Sequence, residues 1–177
     1  CVALMAWIRR AEAPATRPFT WLMVAIAAYA STGAMGSLST TAPITIRLAQ
    51  LETSLSSIVT ALFFIFALHF TQRRQWLTFW RRCVVWAMPV FNILLVAFND
   101  RHHQVWTHFT PVQGTHRIIF HNGPAHLWSA FWFYIYVITG SLLISRASLS
   151  LGKLYRQQAV TVVLGAVAQD LVGTLYV

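Results

Sequence analysis

The stretch Thr71-Gln72-Arg73-Arg74-Gln75-Trp76-Leu77-Thr78-Phe79-Trp80-Arg81-Arg82 decides the fold. Four arginines and two tryptophans crowd into a short gap between two apolar runs, Thr53–Phe70 and Cys83–Phe98. Arginines next to lipid-spanning runs, with tryptophans at headgroup level, mark the cytoplasmic face of a membrane protein. Working outward, the same chemistry recurs in every second gap. Arg9, Arg10 and Arg17 fill an earlier one, and Arg146, Lys153 and Arg156 a later one. Only Arg47, Arg101 and Arg117 fall in the intervening gaps, so ten of thirteen basic residues mark one side.

Composition agrees. Hydrophobic residues make up 57% of the 177-residue chain and charged residues 10%, where a soluble domain carries about a quarter. The net charge of +9 does not point to nucleic acid. The basic residues sit in short gaps, and no basic face is long enough to track phosphates. Topology and anionic headgroups account for them. Cys1 and Cys83 are the only cysteines; no disulfide, metal-ligand spacing or cofactor is expected from them.

The spans read as follows. Cys1–Ile8 is the inner end of a truncated span. Pro18–Leu38 is a full span whose Gly33 and Gly36 suit close helix packing. Pro43–Glu52 is an outer connection, and Thr53–Phe70 is the next span. Cys83–Phe98, carrying Pro89 and Asn92, is shorter than the roughly 20 residues a crossing needs, so it borrows from Leu77–Arg82 with the arginines snorkelling. Asn99–Pro124 is a long outer loop rich in His and aromatics. Ala125–Ser145 and Gln157–Val177 are the last spans. The expectation is an all-α integral membrane helix bundle, residues 1–177 forming one transmembrane domain truncated at both ends. About six of seven spans are present, with the N-terminus of the whole outside.

Three motifs then suggest a family. Asn99-Asp100-Arg101-His102-His103-Gln104-Val105-Trp106 is similar to "TN-x-x-H-H-x-x-W". Gly123-Pro124 leads into Trp128, Trp132, Tyr134 and Tyr136, like a "GP" motif before an aromatic helix. Tyr155-Arg156-Gln157-Gln158, followed by Gly165, is similar to "YRRQ" and a helix glycine. Ala67-Leu68-His69-Phe70-Thr71 adds a likeness to "FALxYTG". Together they resemble the N-terminal seven-transmembrane sensor region of bacterial histidine kinases, also found on diguanylate cyclases. The chain departs from the family pattern where Gly36-Ser37 stand for an acidic residue, near Thr60 and at Gln169 for prolines, and at Gly173 for an asparagine.

The resemblance implies a multi-pass sensor in the bacterial cytoplasmic (inner) membrane. It would take a small or lipophilic signal and pass it to a cytoplasmic kinase or cyclase domain of the same chain, as a homodimer within lipid. No catalysis is expected of the chain itself. The alternative from the residues is an integral-membrane enzyme or proton-coupled transporter using Asp170 and the outer-loop histidines. The chain's few acids and the lack of an inverted repeat stand against it.

Asp170, deep in a span, is costly there unless it faces a polar partner, and Gln169 would extend the same patch. Trp128, Trp132 and Tyr136 recur at i, i+4 and i+8 along one helix face; with Tyr134 they are candidates for the wall of a ligand pocket. Asn99, His102, His103 and Trp106 are expected to order the outer loop as a lid. Asn99 would act through its amide, and His102 or His103 would bond freed carbonyls. Six of seven histidines lie in or beside this loop, but no acid beyond Asp100 joins them and no metal site is expected.

Overall fold

A computed structural model describes residues 15–112 and 118–150. The expected spans at both chain ends, with Gln169 and Asp170, lie outside the described residues. Within them, four helices are long and apolar enough to cross a membrane: α1 (Thr16–Leu38), α2 (Ala42–Phe70), α3 (Phe79–Ala97) and α5 (Pro124–Ser150). A one-turn helix, α4 (Asn99–His102), and an antiparallel hairpin of β1 (Trp106–Pro111) and β2 (Ile118–Asn122) join α3 to α5.

Two sequence expectations change. The supposed outer connection Pro43–Glu52 is the first third of α2. Pro43 sits in its first turn, where a missing N–H costs nothing, and no breaker follows. At about 1.5 Å per residue the 29 residues of α2 extend about 43 Å, well beyond a hydrocarbon core of roughly 30 Å. Its start therefore stands clear of the lipid, and there Arg47 pairs with Asp100 at 3.4 Å and with Gln50 at 2.8 Å. The outer loop, in turn, contains a β-hairpin. Its strands are rich in Thr, Ile and aromatics, residues that suit a pleated, half-buried surface.

Helix α3 begins at Phe79 and so takes in Trp80, Arg81 and Arg82, as its short apolar run requires. The turn before it is built rather than loose. Gln72 adopts φ 57°, the left-handed conformation that usually calls for glycine. Its amide bonds to His69 O at 3.1 Å, and that of Arg73 bonds to Leu68 O at 2.8 Å. This pair of bonds closes the end of α2 as a Schellman motif. Trp76 packs edge-on to Phe64, and the Arg81 guanidinium lies 4.8 Å over the Trp76 ring.

Helix α2 is the hub: α1, α3 and α5 all pack on it, while α3 and α5 scarcely meet. Leu22 and Ala25 of α1 join Val59, Phe63, Phe66 and Ala67 of α2 and Ile144 of α5 in one buried cluster. Gly140 lets α5 approach closely; a Cβ there would come within 2.8 Å of the Phe63 ring. Phe64 stacks on Tyr136 with ring centroids 5.4 Å apart. Close approach through small residues is how helices gain contact in lipid, where burial itself gains little. Arg17, Arg73, Arg74, Arg81, Arg82 and Arg146 stand at helix ends or starts that successive antiparallel crossings bring to one side, here the basic end. Arg47, Arg101 and the hairpin mark the other.

Candidate functional site: a cleft between three helices

The cleft begins with a proline. Pro89 lies inside α3 and has no N–H to give to the carbonyl four residues earlier, that of Val85. In hydrocarbon an unsatisfied carbonyl costs several kcal/mol. Tyr136, buried on α5, supplies the donor: its hydroxyl reaches Val85 O at 3.3 Å. A side chain of one helix thus completes the backbone of another.

One turn further on, Asn92 is 8% exposed. Its amide nitrogen donates to Ser57 Oγ on α2, and its amide oxygen accepts from Ser129 Oγ on α5. Ser57 also donates to Thr53 O of its own helix at 3.2 Å, and the single Ser129 proton is shared between Asn92 and Ala125 O, the latter at 3.0 Å. A single asparagine therefore ties α2, α3 and α5 together. Such interhelical bonds average about 0.6 kcal/mol in membranes, with a maximum near 2.

Between these two tethers lies a cavity of about 30 Å³, room for roughly two waters. Helix α5 contributes Trp128, Trp132 and Tyr136, the stripe expected from the sequence, with Ser129 and Phe133 beside it. Helix α3 contributes Met88, Pro89, Phe91 and Asn92, and α2 Ser57 and Thr60. Among the described residues no charged side chain lines it. Tyr134 does not join the stripe. It is 42% exposed and rests edge-on to Phe133, because two residues along a helix from Trp132 and from Tyr136 is the opposite face.

At the hairpin end, Asn99 is fully buried. Its side-chain oxygen accepts from the amides of Val105 at 2.9 Å and Trp106 at 3.1 Å, and its nitrogen donates to Trp106 O at 3.1 Å. His102 meets an amide rather than a carbonyl: its Nδ1 accepts from Gln104 N at 3.0 Å. His103 turns the chain at φ 50°. Gln104 O then accepts from Ala125 N at 2.9 Å and Val105 O from Gly123 N at 2.8 Å, so this segment caps the start of α5. Any side chain at 123 would strike Gln104 O. Trp106, Phe109 and Phe120 pack over Leu95, Val96 and Ala125.

Among the described residues no three His, Cys, Asp or Glu side chains gather as a metal site. His108 and His121 stack across the strands at 3.8 Å and are held by Thr107 and Thr110. Asn92, Ser57, Ser129 and Pro89 are the residues that sequence reasoning did not select. Pro89 and Asn92, three apart in an apolar run, were the available signal.

No curated protein and no solved structure is a significant match to the chain. The model of one family, described as the N-terminal 7TM region of histidine kinase, matches residues 1–177. Long apolar helices in a multi-pass array, an aromatic cleft between three of them and this full-length match agree: the chain belongs to the family of N-terminal seven-transmembrane regions of histidine kinases, a transmembrane sensor module.

Proposed function

We propose that the chain is the signal-sensing input module of a bacterial sensor kinase, set in the cytoplasmic membrane with its hairpin end outside. The cleft between α2, α3 and α5 receives a small, lipophilic signal. The movement passes to a cytoplasmic output domain of the same chain, a kinase or a cyclase, within a homodimer. The observation that carries this reading is the Asn92 clip beside the Pro89 gap. Polar tethers of this kind hold three helices in one arrangement yet are weak enough for an occupant to rearrange. The Asn99-centred cap fixes α3 to α5 at the hairpin end, so parting them at the cleft displaces their basic ends. Those ends lie on the side of the output domain under the charge rule.

Autophosphorylation of the full-length receptor in lipid nanodiscs tests the reading. Asn92→Leu cuts both interhelical bonds and is expected to change basal output several-fold. Tyr134→Leu, on the exposed side of α5, leaves it unchanged. A folded Asn92→Leu protein with wild-type output would contradict the proposal.

A further inference from the structure

The donors lining the cleft define what it would take. The Ser57 and Thr60 hydroxyls donate to carbonyls of their own helices, the Ser129 proton is shared between Ala125 O and Asn92, and Tyr136 donates to Val85 O. The indole N–H of Trp132 is different. It is buried, and among the described residues it has no hydrogen-bond partner. Indole nitrogen donates and never accepts, and a buried donor without an acceptor carries a full desolvation penalty. With no charge among the described residues of the lining, an ionic occupant would lose its hydration uncompensated.

We infer that the cleft is selective for a neutral, largely hydrocarbon molecule carrying a hydrogen-bond acceptor, a ketone- or ester-type oxygen, which accepts from Trp132 Nε1. The inference rests on the cleft being the signal site, and it adds the chemistry of the signal. The rings of Trp128, Trp132 and Tyr136 supply the apolar contact, and the N–H supplies orientation, the division of labour usual in small-molecule sites. The cavity holds little as it stands, so an occupant of this kind parts α3 from α5. A membrane lipid's ester carbonyl and a free ketone or ester share this chemistry.

The test uses the full-length chain in dodecyl maltoside. Apparent affinities for cyclohexanone and for methylenecyclohexane, of like shape but without the oxygen, come from the dose dependence of the thermal midpoint. Cyclohexanone is expected to bind about tenfold more tightly. Trp132→Phe keeps an aromatic ring and removes the N–H, and it brings the ratio close to one. Tyr134→Phe, exposed on the opposite face of α5 and outside the cleft, keeps the ratio and is the control. Added phosphatidylcholine that competes with cyclohexanone identifies a lipid carbonyl as the occupant; a free small molecule is identified if it does not compete. Equal binding of both probes, or a preference that survives Trp132→Phe, overturns the acceptor proposal and leaves the cleft intact. Binding of neither probe overturns the cleft reading as well.

Discussion

Gln72 shows how a single residue departs from its local rule. It holds φ 57° in the turn that closes α2, at the place where the similar "FALxYTG" pattern has glycine. A side chain in the left-handed region costs about 1–2 kcal/mol, part of which glycine would return as unfolded-chain entropy. Gln72→Gly should therefore stabilise the bundle by about 0.5–1 kcal/mol, seen as a higher thermal midpoint in detergent. An unchanged or lower midpoint would show that the strain is absent. At this scale the sequence was partly legible. Asn99 could be singled out because its amide suits turns, and it indeed bonds three backbone groups. Ser57 and Ser129 could not be. Each can satisfy itself on its own helix, and only the fold brings Asn92 between them.

The helices were legible where apolar runs are bounded by charge, and less so elsewhere. The stripe Trp128–Trp132–Tyr136 follows from helical spacing, and the same spacing puts Tyr134 on the opposite face of α5. The start of α2 was hidden by its polar residues, which stand beyond the hydrocarbon. The hairpin was hidden because its strands are short and each carries a histidine, His108 or His121, among its apolar residues. The proline in α3 leads to a prediction at this scale. Tyr136→Phe removes the donor to Val85 O and should destabilise by about 1–2 kcal/mol. In a Pro89→Ala background the restored amide takes over that carbonyl, and the same change should cost little. The double-mutant cycle should thus show a coupling of about 1 kcal/mol between two residues on different helices. Strict additivity in thermal or denaturant unfolding would contradict the assignment of Tyr136 to the proline gap.

For the whole molecule, the uneven distribution of arginine sets the orientation. Thr78, beside the basic turn, is expected inside, and Ile119 on the hairpin outside. With Cys1 and Cys83 replaced, an impermeant thiol reagent on intact cells should label a cysteine at 119 and spare one at 78. The reverse pattern would invert the topology. The central claim is that an occupant of the cleft moves α3 relative to α5, and it is tested most directly by a distance. Val84 and Leu142 are exposed on α3 and α5, toward their basic ends, and each accepts a nitroxide without entering the core. Double electron–electron resonance on the full-length receptor in nanodiscs should show the label separation shift when cyclohexanone is added, and in Trp132→Phe the same shift should need about tenfold more cyclohexanone. The same distance distribution with and without saturating cyclohexanone would contradict the account.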